Sequence, residues 1–213
     1  IAEGLEWITR TYRRLGALLS KSGYEGRLVG DEGGFGPRLE SNEQAIEFVV
    51  RAIEAAGLAP GKDMTIALDV AATHFFAGGR YAIRHAGKRQ FLSGDELIAL
   101  IEQLAAKYPI TSIEDPLAEE DWPTWARFTA TLGNKLQIVG DDLIATNALR
   151  LQRAIDSRAA NAVLIKVNQI GTLTETLETM RLAREVGFRC VVSARSGETE
   201  DTTIADLAVA TAA

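Results

Sequence analysis

Apolar residues along the chain follow two alternating spacings. Short continuous apolar runs occur in RLVGD (27–31), TIALDV (65–70), PITSIED (109–115), LQIVGD (136–141), AVLIKV (162–167) and FRCVVS (188–193). Runs of this kind, bounded by polar turns, predict strands covered on both faces of a parallel sheet. Between them the spacing becomes helical. Ser41 with Gln44, Ser93 with Glu96, and Thr172 with Glu175 each set a capping pair ahead of an apolar stripe. The stripes are Ala45, Val49, Ala52 and Ala56; Leu97, Leu100, Ile101 and Leu104; and Leu173, Leu177, Met180 and Arg184. FFAGGRYAI (75–83) departs from this rhythm, because Gly78-Gly79 between aromatic and β-branched residues predicts a hairpin.

A repeated strand–helix unit leaves two architectures, an open doubly wound sheet or a (β/α)₈ barrel. No GxGxxG or P-loop follows a strand, which argues against the nucleotide-binding open sheets. A barrel needs eight strands and six are predicted, so the rest of a barrel would lie outside this chain. The opening IAEGLEWITR has no Met and reads as the inside of a helix, and the closing DLAVATAA stops within an apolar run. Residues 1–213 are therefore expected to be the central part of a barrel, truncated at both ends, with no internal linker.

Composition narrows the function. The net charge of −6 and pI near 5.1 disfavour nucleic acid and anionic membranes as partners. They allow a small anionic substrate, because a bound metal inverts the local field. Cys190 is the one cysteine, which rules out an intrachain disulfide and suits a reducing, cytoplasmic setting. No apolar run reaches the length of about 18 residues that a membrane helix needs.

The chemistry lies at the ends of the strands. In order they carry Asp31-Glu32, Asp69, Glu114-Asp115, Asp141-Asp142, Lys166 and Ser193-Ala194-Arg195-Ser196. In a barrel these ends converge on the face that holds active sites. Three carboxylates aimed at one place repel unless a hard divalent cation neutralises them, so Asp69, Glu114 and Asp141 read as a metal triad. The plain alternative is that each acid caps the helix after it. Lys166 in an apolar strand must be paired or depressed in pKa. It is a candidate base, or else half of a structural ion pair. Glu32 lies among glycines as a candidate acid or a turn carboxylate; Arg195 and Ser196 are candidates for holding a phosphate or carboxylate, or Arg195 for pairing with an acid. His74 and His85 read as surface residues, with His74 close to Asp69; Cys190, Trp7, Trp122 and Trp125 read as packing residues.

These motifs resemble the enolase family. VGDEGGFGP (29–37), ALDVAATHFF (67–76), SIEDPLAEEDW (112–122), VGDDLIATN (139–147), LIKVNQIGTLTET (164–176) and VVSARSGETEDTTIADLAVATAA (191–213) occur in the family's order across nearly the whole chain. The resemblance implies an incomplete TIM-type barrel, with the family's N-terminal α+β domain and last barrel strand outside this chain. It implies a Mg²⁺-dependent lyase of glycolysis that dehydrates 2-phosphoglycerate to phosphoenolpyruvate, and a homo-oligomer. It assigns the metal to Asp69, Glu114 and Asp141, α-proton removal to Lys166, help in expelling the hydroxyl to Glu32, and the phosphate to Arg195 and Ser196. Two local departures stand out: Ala194 replaces the family's histidine in Ser-His-Arg-Ser, and Thr73-His74 replaces Ser-Glu in Ala-Ser-Glu-Phe. They leave room for an enolase-like enzyme acting on a related phosphonate or phosphate, or for a non-catalytic binding protein. Because the family's other catalytic groups lie outside the chain, the chain alone is not expected to turn over.

Overall fold

The structure, a computed structural model, describes residues 1–30, 32–85, 88–196 and 199–213, and the backbone alone at 85. Two helices, α1 (Ala2–Lys21) and α2 (Asn42–Ala55), pack on each other ahead of the first strand. Then follow β1 (Ile66–Asp69), a 3₁₀ turn (Ala72–Phe75), β2 (Phe76–Ala77), β3 (Arg80–His85), β4 (Lys88–Leu92) and α3 (Gly94–Lys107). The remainder alternates: β5 (Ile110–Glu114), α4 (Trp122–Leu132), β6 (Gln137–Gly140), α5 (Ala148–Ser157), β7 (Ala162–Lys166), α6 (Val167–Ile170), α7 (Leu173–Glu185), β8 (Arg189–Ser193) and α8 (Thr203–Thr211).

β1, β5, β6, β7 and β8 pair in that order, all parallel, as five strands of an incomplete TIM-type barrel. Ile113, Ile138, Val163 and Ile165 are fully buried, as strands covered on both sides require. β2, β3 and β4 form a separate antiparallel sheet, with Gly78 and Gly79 both at positive φ in the predicted two-residue turn. β4 was not anticipated. Among the described residues, no helix is long and apolar enough to cross a membrane.

Three expectations need correction. RLVGD (27–31) is not a barrel strand. Val29 makes only an isolated bridge to Phe35, and Gly30 N–H donates to Gly34 O at 2.9 Å, so the segment closes on itself as a glycine loop. Asp31 lies outside the described residues. In α7, Leu173 and Leu177 are exposed; the buried line is Thr176, Thr179, Met180 and Ala183. The threonines enter the core because their hydroxyls reach carbonyls: Thr176 donates to Thr172 O at 2.8 Å and Thr179 to Thr146 O at 2.9 Å. In α2 the buried face is centred on Ile46, Ala52 and Ile53, while Ala45 is exposed.

Trp125 and Trp122 are buried and Trp7 and Cys190 pack against the core, as packing residues do. Tyr81 ties the small sheet to the barrel. Its fully buried hydroxyl donates to Asp121 Oδ2 at 2.9 Å and accepts from Ala118 N–H at 3.1 Å. Burial and the facing Asp121 carboxylate both push the phenol's pKa upward. Tyr81→Phe leaves that buried N–H unpaired. We expect it to cost about 1–3 kcal/mol in chemical denaturation; a change below a few tenths would show that the bridge contributes little.

Candidate active site

Five acids, a lysine and an arginine meet where the barrel strands end. A cavity of about 190 Å³ is lined by Glu32, Asp69, His74, Asp115, Asp141, Asp142, Lys166, Arg195 and Ser196, together with Ala71. Parallel register sets Asp69 beside Glu114 and Lys166 beside Ser193. Glu114, half-buried at the end of β5, is not itself on the lining, but the charges of Asp69 and Asp141 act on it most strongly. Lys166 is already engaged, because its Nζ donates to Asp141 Oδ2 at 2.6 Å. On the other side Ser196 Oγ donates to Glu32 Oε1 at 2.7 Å. Thus the fold brings Glu32, Asp69, Glu114, Asp141, Lys166, Arg195 and Ser196 to one place. His74, read from the sequence as a surface residue, is exposed and also lines the cavity. The side chain of His85 lies outside the described residues.

The local backbone holds these groups in unusual conformations. Ala71, Asp115, Ala145 and Thr146 follow successive strands and all have positive φ, at 46°, 39°, 53° and 54°. Each such residue costs on the order of 1 kcal/mol, and they persist where the surroundings over-determine them. Asp115 shows how. Its carboxylate accepts from Asp141 N–H at 2.9 Å and Asp142 N–H at 2.8 Å, which fixes the turn after β6. Gly140, the last residue of β6, packs close under Ile144, where a Cβ would come within 2.8 Å of its side chain. Thr146 Oγ1 accepts from Lys166 N–H at 2.9 Å and so fixes the backbone of the lysine. Neither Asp115 nor Thr146 was singled out from the sequence. The signal lay in the runs Glu114-Asp115 and Asp141-Asp142, where the second acid had no evident partner.

The electrostatics favour a cation. Burial, then the charges of Asp69, Asp141 and Asp115, push the Glu114 carboxyl up to about 8. Burial also raises Asp69. It lifts Asp115 to about 7, although the two backbone N–H groups pull the other way. Asp141 Oδ1 is buried with no hydrogen-bond partner among the described residues. A buried carboxylate oxygen without a donor is costly unless a cation meets it. Oxygens of Asp115, Asp141 and Asp142 also lie within 4.8 Å of one another. Both oxygens of Asp115, however, already accept backbone hydrogens, so Asp115 orients Asp141 and Asp142 more than it offers a ligand. The all-oxygen donor set fits a hard divalent ion such as Mg²⁺.

A pH dependence follows. Glu114 has a folded-state pKa of about 8, above its ordinary 4.5. Its contribution to metal-free stability is therefore complete below about 4.5, where folded and unfolded chains are both protonated. It is lost progressively as pH rises to about 8, because the unfolded chain ionises first. The metal-free protein is expected to melt lower at pH 8.5 than at pH 5.5, and added Mg²⁺ to raise the melting temperature more at the higher pH. Equal Mg²⁺-induced shifts at both pH values would contradict this.

Parallel strands with acids and a lysine on the rim at their carboxyl ends define the class, a TIM-type barrel with a candidate oxygen-ligand metal site. Comparison with known families is specific: the model described as "Enolase, C-terminal TIM barrel domain" matches residues 1–213. The chain belongs to the enolase C-terminal barrel family, which is a family of lyase-type enzymes.

Proposed function

We propose that the protein carrying this chain dehydrates 2-phosphoglycerate to phosphoenolpyruvate. The observation that carries this reading is the contact of Lys166 Nζ with Asp141 Oδ2 at 2.6 Å, on the acid side of a cavity whose other side holds Glu32, Arg195 and Ser196. Asp69, Glu114 and Asp141 would hold Mg²⁺, which when bound supplies positive charge for the doubly charged enolate that forms on the substrate. Lys166 removes the proton α to the carboxylate, as lysine bases do in enolase-superfamily sites. To do so it must give up part of its hold on Asp141. Glu32, hydrogen-bonded to Ser196, assists departure of the hydroxyl from the neighbouring carbon. Arg195 and Ser196 hold the phosphate.

The test is a continuous assay of phosphoenolpyruvate formation by the full-length protein with Mg²⁺ and 2-phosphoglycerate. Turnover that disappears on chelation and returns with Mg²⁺ supports the reading, and no product under those conditions refutes it. Ala194 favours a second reading. A small apolar side chain next to Arg195 leaves room beside the phosphate, so a bulkier phosphonate or phosphate acid is the alternative substrate. Turnover of such an acid in preference to 2-phosphoglycerate would select it.

A further inference from the structure

The cavity has nitrogen donors on two kinds of element. Lys166 is engaged by Asp141. Among the described residues, the other side-chain nitrogen donors on the lining are Arg195 and His74, and neither meets a carboxylate. An anionic substrate brought into a space walled by five acids depends on such donors. Position 194, beside Arg195, carries only a methyl group. Among the described residues, the imidazole on the lining is that of His74, on the rim after β1.

That rim is firmly held. Ala71 N–H donates to Asp69 Oδ1 at 3.0 Å, and Ala72 N–H donates to Asp115 O at 3.1 Å. Glu119 N–H donates to Thr73 Oγ1 at 3.0 Å, Ala72 is fully buried, and the Phe75 ring packs edge-on to Tyr81 at 6.2 Å. The turn Ala72–Phe75 is thus tied to two candidate site residues and to the core, with His74 left exposed at the cavity edge. A ring on a mobile loop would add little; one on a pinned turn is pre-positioned.

We propose that His74 is a specificity-determining residue of this site, whose ring N–H donates to an anionic oxygen of the substrate together with Arg195. This rests on the reading of the site as one for a small phosphorylated acid. His74→Ala removes the donor, His74→Gln keeps an N–H of similar reach, and His74→Glu adds a carboxylate.

In the full-length protein with Mg²⁺, His74→Ala is expected to raise KM for 2-phosphoglycerate about tenfold while kcat stays within about twofold, as loss of one hydrogen bond to a charged group implies. His74→Glu raises KM further and His74→Gln restores most of the affinity. All three should melt close to wild type because the residue is exposed. Calorimetric binding of 2-phosphoglycerate and of inorganic phosphate to the same variants separates this proposal from the dehydratase reading. If the wild type binds these ligands without forming phosphoenolpyruvate, the dehydratase reading fails. Weaker binding by His74→Ala still supports the role of His74. If Ala and Glu variants bind both ligands as the wild type does, the proposal is overturned. No binding by the wild type overturns both.

Discussion

Lys166→Ala in the full-length protein is expected to lower kcat for 2-phosphoglycerate by about 10³–10⁴-fold, the upper range for loss of a positioned general base. KM should change little, because the ammonium group is held by Asp141. The decisive measurement is exchange of the substrate's α-proton with deuterated water. A base acting on that proton predicts that exchange falls with turnover. Survival of exchange in the variant would show that another group removes the proton and that Lys166 is a structural partner of Asp141. Lys166→Ala also frees Asp141, whose remaining oxygen is already without a donor. Metal affinity should therefore hold or improve, an outcome that separates loss of the base from collapse of the site.

Asp141→Asn has the second largest effect, and acts at two levels. Asp141 is a candidate metal ligand and the partner of a lysine whose side chain is only 15% exposed. Losing one partner of a buried pair costs about 3 kcal/mol or more. Removing an acid from beside Glu114 and Asp69 relieves repulsion and offsets part of that. The net loss in the metal-free protein is expected to be about 1–2 kcal/mol. Mg²⁺ or Mn²⁺ affinity should fall by at least about 100-fold, beyond the 10–100-fold typical of a lost outer-shell group. Titration of the protein with Mn²⁺, followed by its spin signal, reads this without any turnover. Unchanged Mn²⁺ affinity would remove Asp141 from the metal site.

Much of the barrel was legible because its strands are apolar on both faces and its helices carry capping pairs. Ser93 and Glu96 form the reciprocal box expected of them, with Glu96 N–H donating to Ser93 Oγ at 3.3 Å and Ser93 N–H to Glu96 Oε2 at 2.7 Å. Local failures had local causes. The run 27–31 is apolar enough for a strand, but its glycines let the chain bond to itself, and Leu28 stays 71% exposed. Thr176 and Thr179 look like solvent residues in a periodicity count, yet lie buried because carbonyls of the neighbouring turns accept their hydroxyls.

The sequence by itself determined the strand–helix alternation from β5 to β8, the hairpin at Gly78-Gly79, and the acids and lysine at or next to the ends of β1, β5, β6 and β7. Each depends on residues close in the chain: period, caps and turn chemistry. Only the tertiary structure decided how those strand ends are used. Asp115 is turned by an αL backbone onto the amides of residues 141 and 142, Lys166 is joined to Asp141, and His74 reaches the cavity of Lys166 and Arg195. Those relations join residues 25 or more positions apart, and parallel register, not sequence spacing, sets the distances between them.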